Sequence, residues 1–325
     1  MAFIEMQNVT KQFRVYPRQK GFANALKSLV YKPYEIKTAV DGIDFSIAKG
    51  ELVGYIGANG AGKSTTIKML SGILVPTSGQ IEVGGLVPHE NRKRNAGRIG
   101  VVFGQRSQLY WDLPMEETFD LYKRMYKIDA AAFKRNVQFF VELLDMQEFV
   151  RRPTRQLSLG QKMRANLALA MLHDPEILYL DEPTIGLDVV AKSKIRKFIR
   201  EINREKATTV ILTTHDMNDI EEICDRLIMI DHGRKMFDGT LHEFKQTYSD
   251  STIVILDLEE DAALQVSDGR LKVIQEDGQR KYVSIDKNII SLVDAITQLA
   301  QTNRIREVNV KEPDIEDTVR RIFEK

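Results

Sequence analysis

The feature that most constrains this chain is the octapeptide GANGAGKS, Gly57 to Ser64, which matches the pattern G-x-x-x-x-G-K-[ST]. It follows the apolar run ELVGYI and precedes TTIKMLSGIL, whose apolar residues have helical spacing. Between a strand and a helix, such small residues let backbone N–H groups surround a phosphate at the helix N-terminus. Lys63 would neutralise the β- and γ-phosphates, and the Ser64 hydroxyl would bind Mg²⁺. The octapeptide therefore predicts a nucleoside triphosphate site.

The rest of the first 240 residues predicts an α/β fold. Short apolar runs of strand type alternate with helical stretches, and the runs are RIGVVFGQ, EILYLDEP, TTVILTTH and RLIMID. This alternation indicates a mostly parallel sheet that binds its ligand at the carboxyl ends of the strands. Polar side chains that end these runs are therefore candidates for one site.

Two adjacent acids end the run ILYLDE. Because neighbouring residues of a strand point to opposite sides, Asp181 and Glu182 should have separate tasks. We expect Asp181 to face Mg²⁺ and Glu182 to orient or deprotonate the water that attacks the γ-phosphate. Gln105, at the end of RIGVVFGQ, can meet both Mg²⁺ and that water, and His215, at the end of TTVILTTH, can hydrogen-bond the γ-phosphate.

Composition limits the kinds of partner. The 325 residues include 47 basic and 46 acidic side chains, so the net charge of +1 provides no overall attraction to nucleic acid or to an anionic membrane. No apolar run approaches the roughly eighteen residues that span a bilayer, and the N-terminus does not have the pattern of a signal peptide. The single cysteine, Cys224, excludes a disulfide framework and is expected to be a small buried side chain in a reducing cytosol.

The chain divides near residue 240. After it, STIVILDLEE, a hairpin signal at Asp277-Gly278, a helix, a strand and a final helix predict a small α+β domain over residues 241–325. Within the first domain, residues 1–240, a basic insertion covers about residues 17–38. Its Phe22, Leu26 and Leu29 have helical spacing, so it is either an amphipathic helix that faces a membrane or partner, or an insertion packed on its own domain.

The order of these motifs resembles the ATP-binding subunits of ABC transporters, and the similarity covers about residues 3–240. GANGAGKS resembles Walker A, Gln105 the Q-loop glutamine, ILYLDE Walker B, Asp188 in IGLD the D-loop, and His215 the switch histidine. LSLGQ, Leu157 to Gln161, resembles the signature LSGGQ. The resemblance implies an ABC-type P-loop ATPase fold, with a mostly parallel sheet and a helical subdomain, that binds ATP and Mg²⁺.

The resemblance also implies a role for each site residue. The implied nucleotide contacts are Phe13, Gly57, Ala58, Asn59, Gly60, Ala61, Gly62, Lys63, Ser64, Thr65, Ser158, Gly160, Gln161 and Asp188, with Ser64, Gln105 and Asp181 at the metal and Glu182, His215 and Gln105 in catalysis. Ser158 should cap a helix whose N-terminus covers the γ-phosphate held by a second ATPase subunit, in a head-to-tail dimer that is expected to be a homodimer.

Two departures from the family pattern affect single positions. Leu159 replaces the commonest glycine of the signature, while Ser158, Gly160 and Gln161 match it. The basic insertion separates the usual adenine-stacking aromatic residue from Walker A, so Phe13 in VTKQF is the first candidate for that residue and Tyr16 is the second.

Within the family, the single ATPase domain and the appendage that ends in VKEPDIEDTVRRIFEK are similar to ABC-2-type subunits of drug, lipid or polymer exporters, particularly the daunorubicin branch. Their permeases are separate chains, so we expect a cytoplasmic subunit on the inner face of the membrane that binds no nucleic acid. Leu109, Tyr110 and Trp111 are either a permease socket or core residues. The alternatives are an importer subunit, a soluble ABC ATPase acting on ribosomes or nucleic acid, and a small-molecule kinase.

Overall fold

The structure is a computed structural model that describes residues 2–16, 34–104, 107–248, 251–266, 271–286, 289–311 and 315–323. Two compact units are present, Met1–Gly239 and Thr240–Lys325. The predicted amphipathic segment with Phe22, Leu26 and Leu29 lies outside the described residues.

A three-stranded antiparallel sheet in the order β2-β1-β4 begins the first unit. Its strands are β1 (Ala2–Val15), β2 (Glu35–Ala48) and β4 (Ser78–Val83). Strand β2 begins at Glu35, where it pairs with Val15, so the last residues of the expected insertion lie in this strand. The sequence pattern did not predict β4, since only Ile81 and Val83 of its six residues are buried.

The second sheet has six strands in the order β5-β6-β7-β3-β8-β9. Pairing is parallel from β5 to β8, which confirms the mostly parallel sheet that the sequence predicts. All residues of β3 and β7 are buried, so these strands are continuous apolar runs, as expected for a sheet covered on both faces. The strands are β3 (Leu52–Gly57), β5 (Ile99–Phe103), β6 (Ile177–Asp181), β7 (Thr209–Thr213), β8 (Arg226–Asp231) and β9 (Arg234–Thr240).

Helices connect these strands. They are α1 (Lys63–Leu70), α2 (Arg92–Ala96), α3 (Met115–Tyr126), α4 (Ala130–Leu143), α5 (Leu159–Met171), α6 (Val189–Lys206) and α7 (Met217–Ile223). Helices α3 and α4 both pack against α5, and together they form the predicted helical subdomain. A single apolar core joins residues of the antiparallel sheet, α1 and the parallel sheet, so the phosphate loop starts from the centre of the unit.

The second unit contains a four-stranded antiparallel sheet in the order β11-β12-β10-β13. Its elements are α8 (Leu241–Tyr248), β10 (Ser251–Leu258), β11 (Leu271–Asp277), β12 (Arg280–Asp286), α9 (Leu292–Thr302), β13 (Ile305–Lys311) and α10 (Ile315–Phe323). Gly278, with φ of +56°, follows β11 in the predicted hairpin, and Asp277 pairs with Arg280 across it. Val254, Leu256, Val283, Ile285 and Leu299 are the centre of a separate core.

None of the helices in the described part of the chain is long and apolar enough to cross a membrane.

Candidate active site

The phosphate loop lies between β3 and α1. The ammonium group of Lys63 is buried and donates hydrogen bonds to the carbonyl oxygens of Gly57, at 2.7 Å, and Ala58, at 3.1 Å. Burial lowers the pKa of Lys63, while the carboxylates of Glu182 and Asp181 act to raise it. The lysine therefore lies within electrostatic range of both acids that follow β6, as a phosphate-neutralising cation in a shared site requires.

Glycine is required at the turn into α1. Gly62 has φ of +111°, a left-handed conformation that costs other residues free energy, and a Cβ atom there would lie 2.4 Å from the carbonyl oxygen of Ala39. The loop is thus held against β2 at the point where it enters the helix, and the first N–H groups of α1 are placed at its open end.

Asp181 joins three elements at the carboxyl edge of the parallel sheet. In the strand register it pairs with Phe103 of β5 and with Thr213 of β7. One carboxylate oxygen accepts from the Ser64 hydroxyl at 2.9 Å and the other accepts from the Thr213 hydroxyl at 2.7 Å. The predicted proximity of Ser64 and Asp181 is therefore present, although the two residues are separated by 117 positions in the chain.

Oxygen ligands suit a magnesium ion at this position. A serine hydroxyl and a carboxylate are the hard donors that Mg²⁺ prefers, and nucleotide phosphates and water commonly complete its octahedron. Within the described ranges, no group of three or more His, Cys, Asp or Glu side chains could hold a metal ion. The Ser64 hydroxyl and the Asp181 carboxylate, which are in contact, could hold such an ion together with a phosphate ligand.

Glu182 contacts His215. Its carboxylate lies 2.7 Å from Nε2 of His215, and its backbone N–H donates to the carbonyl oxygen of Thr213 at 2.9 Å. The strand ends at Asp181, and Glu182 has a left-handed φ of +56°. The argument that Asp181 and Glu182 point to opposite sides because they are neighbours in a strand was therefore wrong. Glu182 lies in the turn after the strand, and the conformation of that turn sets the direction of its side chain.

A cavity of about 340 Å³ opens beside these groups. It is lined by Ser64, Lys68, Ile73, Phe103, Gly104, Asp181 and Glu182. The N–H of Gly104 donates to the Asp181 carbonyl oxygen at 2.7 Å, and a Cβ at Gly104 would lie 2.3 Å from the Glu182 carbonyl oxygen. Gln105 lies outside the described residues, but Gly104 places the chain beside both acids one residue before it.

The signature forms a capped helix N-terminus. The Ser158 hydroxyl accepts from the N–H of Gln161 at 3.2 Å, and the Gln161 side chain accepts from the N–H of Ser158 at 2.9 Å, which is a capping box. The predicted cap is thus present, and Met163 and Leu167 are buried beneath it as expected. In the described part of the chain, no hydrogen bond joins Ser158 or Gln161 to the phosphate loop.

The signature instead lies beside the D-loop segment. A Cβ at Gly186 would lie 3.4 Å from Leu159 Cδ2, and one at Gly160 would lie 3.2 Å from Ala191 Cβ. Asp188 caps α6 by accepting from the N–H of Ala191 at 2.8 Å. Leu159 is nevertheless 53% exposed, so the residue that departs from the family pattern contacts the D-loop and also faces solvent.

The strand register favours Phe13 over Tyr16 as the adenine-facing ring. Phe13 pairs with Lys37, only two residues before the Ala39 carbonyl that contacts the phosphate loop. Its ring is 36% exposed, and the Lys11 ammonium lies 5.2 Å from its centroid. Tyr16 lies beyond the last pair of the two strands and makes an edge contact with Tyr34 at 6.1 Å.

Of the three residues considered for a permease socket, two are exposed. Tyr110 and Trp111 are 47% and 64% exposed, and the Lys162 ammonium lies 5.2 Å from the Trp111 ring. Leu109 is only 9% exposed. Leu109 is therefore a core residue, and of these three residues only the two aromatic rings are available for an external contact.

Two polar residues that support the site had no separate signal in the sequence. Thr213 ends β7, and its hydroxyl contacts both Asp181 and, at 3.2 Å, the N–H of Glu182. Asp219 is completely buried and accepts from the hydroxyls of Thr184 and Thr214 and from Nε of Arg196 at 2.6 Å. Thr184 follows Glu182 by two residues, and Thr214 directly precedes His215. Asp219 therefore joins the segment that carries Glu182 to the segment that carries His215.

Asp219→Asn is expected to lower the free energy of unfolding by about 3 kcal/mol, because Arg196 would lose its buried partner. Burial acts to lower the pKa of Arg196, but the carboxylates of Asp219, Glu222 and Asp216 raise it. The pKa of Arg196 is raised overall, so these carboxylates stabilise the charged guanidinium group. Urea denaturation followed by circular dichroism measures the effect. Glu222→Gln is the matched control, since Glu222 is 48% exposed and its loss should cost less than about 1 kcal/mol. Equal effects of both substitutions would contradict this role of Asp219.

Comparison with known proteins agrees with this geometry. The family model described as ABC transporter matches residues 40–185. The linearmycin resistance ATP-binding protein LnrL of Bacillus subtilis (strain 168) is 37% identical over 227 residues, which are 70% of this chain and 72% of LnrL. The chain belongs to the ABC transporter ATP-binding protein family.

Other known proteins that are similar to this ABC ATPase agree with this assignment. The daunorubicin resistance ATP-binding protein DrrA3 of Streptomyces coeruleorubidus is 34% identical over 69% of this chain and 71% of DrrA3. The Nod factor export ATP-binding protein I of Ralstonia nicotianae (strain ATCC BAA-1114 / GMI1000) is 36% identical over 65% of both chains. A dimeric structure of the ATP-binding cassette MJ0796 in a post-hydrolysis state with ADP and Pi superposes with a TM-score of 0.60, at 26% identity over 73% of this chain and 98% of that chain.

The protein is thus an ATP-binding and ATP-hydrolysing subunit of an ABC transporter. The predicted fold and the resemblance to the daunorubicin branch are confirmed, and the alternatives of a ribosome- or nucleic-acid-acting ATPase and a kinase are not favoured.

Proposed function

We propose that this ABC ATPase powers an exporter, and that it works as a head-to-tail homodimer that closes on two ATP molecules and opens after hydrolysis. Residues 1–240 would form the nucleotide-binding domain and residues 241–325 a separate accessory domain. The observation that carries the proposal is the arrangement at the sheet edge, where Ser64 contacts Asp181 and Glu182 contacts His215. These contacts support the proposal that the four residues bind phosphate and activate water at one site.

Glu182 would act as the general base. It accepts a proton from water while the water oxygen attacks the γ-phosphorus, the bond to the ADP oxygen breaks, and ADP and inorganic phosphate form. His215 would hold the Glu182 carboxylate and the γ-phosphate in position from its place 2.7 Å away. Mg²⁺ bound by Ser64, Asp181 and Gln105 would neutralise the phosphate charge.

A second copy would complete each site through its signature. In the capping box the Ser158 oxygen accepts a hydrogen bond, which leaves the hydroxyl proton for another acceptor, and the N-terminus of a 13-residue helix favours an anion. The chain's own Lys63 and α1 already serve its own phosphates. Ser158, Gly160 and Gln161 are therefore proposed to bind the γ-phosphate of the partner subunit, with Asp188 beside them at the interface.

Export is supported by the relatives, since one is named for Nod factor export and two are named for resistance to linearmycin and daunorubicin. We infer that separate transmembrane permease chains hold the subunit at the inner face of the membrane, where the exposed Tyr110 and Trp111 rings would contact a permease. The transported substrate would be selected by that permease.

Purification of the tagged full-length chain from its membrane fraction tests this proposal. We expect a multi-spanning permease to co-purify and, after reconstitution with it, ATP-dependent extrusion of substrate. Tyr110→Ala/Trp111→Ala should lower the yield of permease, whereas Met125→Ala, an equally exposed apolar residue on α3, should not. Substrate uptake in place of extrusion would make the subunit part of an importer, and co-purification with ribosomes or nucleic acid alone would overturn a transport role.

A further inference from the structure

The second unit has an exposed strand at one end of its sheet. Among the described strands, the order is β11-β12-β10-β13, so β13 pairs with β10 on one side and with no other described strand. Six of the seven residues of β13 are exposed, and among them Val308 and Val310 are 36% and 48% exposed. An open edge strand with exposed valines is a template for pairing with another strand.

We propose that β13 pairs antiparallel with β13 of a second copy of this chain, which would join the two sheets of the accessory domains into one. This inference does not rest on the proposed ATP-driven dimer, because the two use different residues and different units of the chain.

The apolar face of β13 favours this partner. Val308 pairs with Leu256 and Val310 pairs with Val254, and both β10 residues are completely buried in the core of the unit. Cross-strand neighbours lie on the same face of a sheet, so the two valines are at the border of that core. A second copy would place two further valines beside them, and the core would continue across the interface.

Symmetry restricts the register of such a pair. A two-fold axis perpendicular to the sheet leaves each side chain on the same face of the sheet in both copies. Residues that pair directly across antiparallel strands also point to the same face, so the axis must pass through a residue that pairs with the same residue of the second copy. With the axis at Asn309, Val308 is opposite Val310 of the second copy and Glu307 is opposite Lys311. Opposite charges facing each other across an antiparallel pair are stabilising.

The neighbouring registers fit less well. An axis at Glu307 would place two like charges directly opposite each other, which is destabilising, and an axis at Val308 would place Arg306 opposite Val310. Of these three registers, the Asn309 register is the one in which charge and apolar contacts agree.

A cysteine at the axis tests the pairing in the full-length chain. Directly opposite residues have Cα atoms about 4.5–5.5 Å apart, within the range of a disulfide, so Asn309→Cys should form an interchain disulfide on mild oxidation. The natural Cys224 will not interfere, because it is 4% exposed and burial raises the pKa of its thiol. Gln275→Cys, exposed on the opposite edge strand β11, is the matched control. Equal cross-linking of both variants, or none of Asn309→Cys, would overturn the proposal.

Charge reversal tests the register. In the Asn309→Cys background, Glu307→Lys would place a lysine at position 307 of each copy opposite Lys311 of the other copy. These two like-charged pairs should lower cross-linking about tenfold. Adding Lys311→Glu should restore it, since the opposite charges are then exchanged. Circular dichroism and ATPase activity show whether each variant remains folded. Failure of the double reversal to restore cross-linking in a folded chain would reject the Asn309 register.

Discussion

Glu182→Gln is expected to lower ATP turnover by about 10²- to 10⁴-fold while ATP binding is retained. The amide has the shape of the carboxylate and can still contact His215, but it cannot accept the proton of the attacking water. Since hydrolysis is what opens the proposed dimer, the variant should accumulate as an ATP-bound dimer. Phosphate release and size-exclusion chromatography with light scattering measure the two effects.

The matched control is Glu176→Gln, the same change just before the start of β6. Glu176 bonds to Arg98 at 2.6 Å and to Lys49 at 3.0 Å, at the end of the sheet away from the phosphate loop. Its loss should affect stability and leave turnover close to that of the wild-type chain. Hydrolysis at the wild-type rate by Glu182→Gln would remove Glu182 as the base.

Ser158→Arg is expected to abolish ATP-dependent dimer closure without weakening ATP binding to the monomer. A charge-assisted hydrogen bond contributes about 1.5–3 kcal/mol, so its loss at both symmetric sites should weaken closure at least about a hundredfold. The bulky side chain would add a steric block. Fluorescent nucleotide binding to dilute monomer and light scattering at high concentration distinguish the two outcomes.

Ser291→Arg controls for the loss of a helix cap. The Ser291 hydroxyl caps α9 of the second unit by accepting from the N–H of Asp294 at 3.1 Å, which is the same kind of bond that Ser158 makes. Both substitutions should therefore cost a similar free energy of unfolding, of about 1 kcal/mol. Only Ser158→Arg should prevent closure. Loss of ATP binding by the Ser158→Arg monomer would contradict a role of the signature in the partner's site.

Much of the fold and of the candidate site followed from short patterns. The loop GANGAGKS and the apolar runs predicted which strands are parallel and buried, because a strand covered on both faces is mostly apolar along its whole length. Asp181 and Ser64 could be placed together because parallel strands end at the same edge of the sheet. The cap at Ser158 followed from the residue type and its position before an apolar helix.

Other features depend on tertiary contacts that local patterns do not encode. The turn at Glu182 is a backbone conformation imposed by neighbours such as Gly104 and Thr213. Asp219 looks like any other acid of a polar helix, and only the packing of α6 and α7 shows that it is buried. Leu109 was ambiguous because the same run contains exposed and buried apolar residues.

The position of Leu159 beside Gly186 has a consequence for the proposed dimer. Gly186 lies in the loop that starts at Glu182, which would act on the chain's own ATP, whereas Leu159 follows Ser158, which would act on the partner's ATP. In the proposed dimer this contact therefore links two reaction centres through one side chain. A larger or smaller side chain at position 159 would therefore change the surroundings of both nucleotides of the proposed dimer at once.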